Sequence, residues 1–190
     1  MSIFKKDISK LNDEALMSRL QDHNDMSALT LLYERYSTRI LGFLFKLFKG
    51  DEQKAQDYLQ DVFLKVQEKK NQFDTSKKFY TWIFTIANNM AKTSFRETIT
   101  TDIDQNSEPI IEWTTQDQIE KTEIKEFLQA SVEKLDINHK TVILLRYNQG
   151  FSIKEISEVT AISEGTVKSR LFYATKKMSE LYNNEFSLKL

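Results

Sequence analysis

The 190-residue chain has room for one large domain or two small ones, and its 40% hydrophobic and 29% charged residues are ordinary for a folded soluble protein. It holds no cysteine, which excludes disulfides, thiolate zinc ligands and a cysteine nucleophile, and four glycines and one proline leave little material for hairpins or phosphate-cradling loops. The net charge of −1 conceals a pattern: residues 1–96 carry 16 basic and 12 acidic side chains, residues 97–120 seven acids and no base, and residues 121–190 11 basic and 9 acidic.

In chain order, Met1–Leu11 holds Lys5, Lys6, Asp7 and Lys10 with no apolar block and does not read as a secretory signal. Asn12 and Asp25 are N-cap candidates for helices over 13–22 and 26–49, the second closed by Gly50. Its apolar run Ile40–Phe48 carries Lys46 and is too short to span a membrane, so no membrane span is expected. Asp51 caps a helix to about residue 70, and a further helix covers about 76–97. Residues 98–116 are β-branched, acidic and hold Pro109, which predicts a flexible acidic linker. A second helical group runs from about residue 117 to residue 182. The expectation is an all-α protein: a helical domain over 1–97, the linker over 98–116, and a second small domain over 117–190. His23 lies in a polar turn and His139 near a helix start, and both read as solvated surface residues. With the acids scattered on solvent faces or gathered in the linker, no carboxylate pair converges as an all-α hydrolase would need. No catalytic residue, metal, cofactor or small-molecule substrate is therefore expected, and the cytoplasm is the default compartment.

In the C-terminal part a helix over 138–148 ends at Gly150, and Ser152-Ile-Lys-Glu155 has the form of a capping box. Ile153, Ile156 and Val159 give the next helix an inner face, Ala161 and Ile162 form a tight turn, and Ser163 caps another helix. A short helix, a tight turn and a second helix make a helix-turn-helix, the frame that lays its second helix in the DNA major groove. On a helical wheel Val167, Leu171, Ala174, Met178 and Leu181 form the buried seam. Thr166, Ser169, Arg170, Tyr173, Lys176 and Lys177 fall opposite, a donor-rich basic face suited to phosphates and base edges. An amphipathic helix with a merely solvated basic face fits the periodicity equally well.

The run Ser152 to Leu171, above all Glu164-Gly-Thr-Val-Lys-Ser-Arg-Leu171, closely resembles the promoter-binding C-terminal domain of bacterial RNA polymerase sigma factors. It departs at Ser157, where alanine is usual, and at Ala161, where the turn often has glycine. Related helix-turn-helix motifs occur in other regulators, so a stand-alone helix-turn-helix transcriptional regulator is the alternative; it predicts a dimer on a two-fold operator.

The helix after Asp51 places Ala55, Tyr58, Leu59, Val62, Phe63 and Val66 on a core face, with Leu64 outward among Gln53, Gln56, Asp57, Gln60, Asp61 and Glu68. That arrangement suits docking on a basic protein surface, although a single exposed leucine is common. In the helix over 76–97, Phe79, Ile83, Ile86, Ala87 and Met90 form the apolar centre, flanked by Trp82 on one side and Tyr80, Phe84 and Phe95 on the other. Thr81, Thr85, Asn88, Asn89, Lys92 and Arg96 lie opposite. Aromatics beside such a stripe can hold an unstacked base, or can simply be core.

Both segments resemble the sigma family too: Ala55-Gln-Asp-Tyr58 and Gln60-Asp-Val-Phe-Leu64 its polymerase-clamp helix, and Phe79 to Arg96 its helix for the minus-ten promoter element, with Thr93 where an acid is common. Leu32, Tyr33 and Tyr36 also fit. The lack of a middle domain points to the extracytoplasmic-function class. The resemblance implies core polymerase binding through Asp57, Gln60, Asp61 and Leu64. It implies minus-ten contacts by Tyr80, Trp82, Asn88, Asn89, Lys92 and Arg96, and minus-thirty-five contacts by Thr166, Lys168, Ser169, Arg170, Tyr173 and Lys177. Core RNA polymerase, promoter DNA and an anti-sigma factor are the implied partners.

Overall fold

The computed structural model describes residues 8–99 and 119–186 and contains no strand among them. Its α-helices are α1 (Asp13–His23), α2 (Met26–Leu47), α3 (Glu52–Glu68), α4 (Phe79–Ile99), α5 (Ile119–Glu133), α6 (Ile137–Ile143), α7 (Ile153–Thr160) and α8 (Glu164–Phe186). Chain contacts define two compact units, Met1–Leu44 with Glu52–Thr100, and Phe45–Asp51 with Thr101–Leu190. The α2–α3 turn, expected within an N-terminal domain over 1–97, thus groups with the second unit. The expected linker lies outside the described residues except for Thr98 and Ile99, which close α4.

In the N-terminal unit the caps anticipated at Asn12 and Asp25 form. The Asn12 side chain accepts from the Ala15 N–H at 2.8 Å, and the Asp25 carboxylate accepts from the Ser27 N–H at 3.0 Å. Arg19 pairs with Asp25 at 2.7 Å and holds its carboxyl below the usual carboxylate range, chiefly through that hydrogen bond. The core is built from Leu16, Met17 and Leu20 of α1, Leu32, Ile40 and Phe43 of α2, Ala55, Val62 and Val66 of α3, and Phe79, Ile83 and Phe84 of α4. Each large apolar side chain fully buried here stabilises by about 1.5–3 kcal/mol relative to exposure. Gln21 donates to the carbonyls of Lys70 at 2.6 Å and Phe73 at 2.8 Å, tying α1 to the α3–α4 connection.

Helix α4 starts at Phe79 rather than near Ser76, because Asp74 first closes a turn on the Ser76 and Lys77 N–H groups. No acid lies in the first turn of α4. Its anion comes from α1: the Glu14 carboxylate accepts from the Phe79 N–H at 3.0 Å. Beside Glu14, Asp13 accepts from the Tyr36 hydroxyl and from Arg35 at 2.6 Å.

In the C-terminal unit Leu135, Ile143 and Ala174 form a buried cluster covered by Val132, Leu171 and Met178. The helix expected over 138–148 is instead α6 followed by a wider π turn over Leu144–Asn148. Gln149 donates to the Leu144 carbonyl at 3.1 Å and Phe151 to Leu145 at 3.0 Å, with Gly150 at φ +75°. This closure turns Phe151 into the core. His139 is half-buried and its ring bonds to the helix-capping Asp136, so it is not the freely solvated residue expected. Burial pushes the Asp136 carboxyl up, but hydrogen bonds from the His139 ring and the backbone outweigh it and hold the group below its ordinary value.

Candidate protein and nucleic-acid interfaces

On α3 the buried residues Ala55, Leu59, Val62, Phe63 and Val66 form a single arc, so one face is left to solvent. Asp57, Gln60, Asp61 and Leu64 all lie exposed on it, and Leu64 at 61% exposure stands well out from the surface. Gln53 donates to Asp57 at 3.0 Å one turn away. Beside Leu64 is a hollow of about 570 Å³ lined by Asp61, Leu64, Lys65, Gln67, Glu68 and, from α4, Met90. Lys65 donates to Glu68 at 2.6 Å and keeps that carboxyl below its ordinary value. The Met90 contribution escaped the sequence reading, which placed that residue in the core of its own helix.

Helix α4 departs further from the expected two-sided pattern. Trp82 and Tyr80 are half-buried. The Trp82 ring packs on Phe73 at 5.0 Å and Phe79 at 6.0 Å. The Tyr80 ring packs on Phe84 at 4.9 Å, with the Arg39 guanidinium 4.7 Å over its face. Asn89 and Arg96 are exposed and Lys92 half-buried, but Asn88 is only 1% exposed. Asn88 therefore does not present its side chain to an outside partner in this fold, and Thr81 is buried beside it on the wheel. The reason is that α1, α2 and α3 supply partners around α4, which widens its buried arc past what a wheel with one core side allows. The outward stripe is rotated to Trp82, Thr85, Asn89, Thr93 and Arg96, where the Thr93 hydroxyl donates to the Asn89 carbonyl at 3.1 Å. Exposed Lys69, Lys77 and Lys78 in the α3–α4 connection add positive charge; their spacing in a lysine-rich run was the available signal.

The helix-turn-helix forms as its sequence implies. Ser152 and Glu155 make both bonds of the capping box. Ala161 takes the left-handed conformation, φ 55° and ψ 39°, at a cost of about 1 kcal/mol for a residue with a Cβ. The Ser157 hydroxyl donates to the Ile162 carbonyl, and Ser163 Oγ accepts from the Thr166 N–H at 3.2 Å to start α8. Val167 and Ala174 are buried, and Leu171, Met178 and Leu181 half-buried, along the anticipated seam. Thr166, Lys168, Ser169, Tyr173 and Lys177 are exposed, while Arg170 is half-buried at the margin of the seam.

Two features of this face differ from the reading. Phe172, not placed on it from sequence, is 61% exposed and meets the Tyr173 ring at 5.4 Å. Glu180 also lies there, 3.9 Å from Lys176, an acid on a face that was expected to be basic. A second hollow, of about 310 Å³, lies between α5 and α8, lined by Phe127, Leu128, Thr175, Met178, Ser179 and Tyr182. Among the described residues no group of His, Cys, Asp and Glu could hold a metal ion, and no helix is long and apolar enough to cross a membrane.

Residues 32–98 match the sigma-70 region 2 family and residues 127–178 the sigma-70 region 4 family. The chain is 28% identical over 185 residues to the RNA polymerase sigma-H factor of Pseudomonas aeruginosa, covering 91% of this chain and 95% of that protein. It is 30% identical over 169 residues to the ECF RNA polymerase sigma factor SigX of Bacillus subtilis, covering 82% and 85%. Among solved structures, CnrH in complex with the cytosolic domain of CnrY shares the fold with a TM-score of 0.68 at 22% identity, covering 90% of this chain and 97% of that one. The sigma factor RpoE of Bartonella quintana, in complex with the anti-sigma factor NepR, does so with a TM-score of 0.65 at 20% identity, covering 81% and 96%. The chain belongs to the extracytoplasmic-function sigma factors of RNA polymerase, proteins of transcription initiation.

Proposed function

We propose that this sigma factor works from three surfaces. Asp57, Gln60, Asp61 and Leu64 dock on a basic surface of core RNA polymerase. Tyr80, Trp82, Asn89, Lys92 and Arg96 engage the opened minus-ten element. Thr166, Lys168, Ser169, Arg170, Tyr173 and Lys177 read the minus-thirty-five element, with Phe172 supplying apolar contact beside them. The observation that carries the reading is the α3 stripe: a leucine 61% exposed among carboxylates and amides, where the rest of the helix buries its apolar residues. Such an anchor in an acidic surround matches a basic protein partner.

In this reading the chain acts by binding alone, in the cytoplasm where polymerase and promoters are. An anti-sigma factor covering the same α3 face would silence it by competition.

The test is transcription by core polymerase supplemented with the purified chain. Start-site-specific RNA that disappears with Asp61→Arg is the expected result. A chain that binds duplex DNA tightly as a dimer and leaves core polymerase unaffected would overturn the reading in favour of a stand-alone regulator.

A further inference from the structure

The two places where the helix-turn-helix departs from its family pattern, Ser157 and Ala161, are joined by the structure. Thr30, Thr85, Thr141, Thr160 and Thr175 donate their hydroxyls to the carbonyl four residues back, the usual arrangement for a hydroxyl inside a helix. Ser157 does the opposite. Its hydroxyl turns forward and donates to the carbonyl of Ile162, five residues on and beyond the end of α7. The bond spans Ala161, whose positive φ is a conformation that glycine adopts freely and alanine does not. The Ile162 carbonyl belongs to the peptide leading into Ser163, and Ser163 starts α8 by accepting from the Thr166 N–H. One hydroxyl therefore ties the second turn of α7, the strained turn residue and the first turn of α8.

We infer that Ser157 is a positioning residue for the recognition helix: its bond to Ile162 holds the turn that Ala161 strains and so fixes how α8 leaves α7. The inference rests on the reading of α8 as the minus-thirty-five helix. Without the bond, Ala161 samples the right-handed and extended regions that a Cβ favours, and α8 changes direction relative to α7. With glycine in place of Ala161 the left-handed turn is accessible by itself, and the hydroxyl has less to do. Ser157 itself need not touch DNA. Alanine at 157 is the family's usual residue, so the variant keeps a helix-compatible side chain.

The experiment uses holoenzyme made with the full chain carrying Ser157→Ala, Ala161→Gly, or both. Affinity is measured for a promoter duplex with an intact or scrambled minus-thirty-five element. Ser157→Ala should lower the ratio of the two affinities about fivefold when Ala161 is present, and less than about twofold when it is combined with Ala161→Gly. Binding to the scrambled duplex, which depends on phosphate contacts, should change little in either background. An equal loss in both backgrounds, or none in the first, overturns the role of Ser157. Lys168→Ala separates this from failure of the underlying reading. If Lys168→Ala weakens minus-thirty-five binding while Ser157→Ala does not, only the Ser157 inference falls; if neither does, the assignment of α8 falls with it.

Discussion

Replacing Glu14 by alanine tests how α4, which carries Tyr80 and Trp82, is held at its start. The Phe79 N–H opens this helix with no acid in the first turn, and Lys77 and Lys78 precede it, the wrong charge for the positive end of a helix dipole. Glu14, 65 residues away in the chain, accepts from that N–H at 3.0 Å. Loss of a capping acceptor costs about 1 kcal/mol, and loss of an anion at a helix N-terminus up to about 1 kcal/mol more. The two contributions overlap in one side chain, which places the expected cost between the cap alone and their sum, at about 1.5 kcal/mol. For a unit of this size that lowers the melting transition by about 5–10 °C. Glu14→Gln keeps an acceptor and loses only the charge, so its cost should be about 0.5 kcal/mol. Circular dichroism melts would read the stability, and amide hydrogen exchange at Phe79–Trp82 the fraying. Open-complex formation should fall in step, because Tyr80 and Trp82 sit in the frayed turn. Unchanged exchange at Phe79 with a melting shift below about 1 °C would refute the capping argument.

Four further outcomes are expected. Leu64→Ala should change stability by less than about 0.5 kcal/mol because the side chain is exposed, yet weaken polymerase binding by about 1–2 kcal/mol in a pull-down titration. Asn88→Ala should act on stability, by about 1 kcal/mol in a thermal melt, while exposed Asn89→Ala leaves the melt unchanged and reduces permanganate reactivity of the opened promoter. Lys140 is buried against Glu133 at 2.5 Å, and burial lowers its pKa despite that carboxylate. Glu133→Ala, which strands the ammonium, should therefore cost about 3 kcal/mol, and Lys140→Met close to nothing, as thermal melts of the two variants would show. Asp25 has a folded pKa below its unfolded value, so the Arg19 pair contributes stability above about pH 4 that is lost as pH falls through the lowered folded value. Acid melts of Arg19→Gln should show a shallower decline over that window.

What could be read from residues alone was whatever one helix decides by itself. The stripe Asp57, Gln60, Asp61 and Leu64 was legible because α3 buries a single arc, so residue spacing alone assigns its outward face. The capping box of α7 and the seam of α8 were legible for the same reason: their signals lie within one or two turns of chain. The tight turn at Ala161 and Ile162 was legible between two helical patterns, whereas the left-handed backbone of Ala161 was given by the structure. Tertiary structure decided the rest. Asn88 faces inward because three other helices supply partners to α4, and no wheel of α4 contains them. Phe172 stands exposed although its residue type argues for burial, because α8 lies against its unit along one narrow seam. The Ser157 hydroxyl chooses a carbonyl ahead of it only because Ala161 turns the chain back into reach. The anion at the start of α4 is supplied by Glu14, which is near Phe79 only once the chain has folded. Spacing along the chain specifies faces of a helix, whereas the number of neighbours a helix meets is fixed only when all of them are in place.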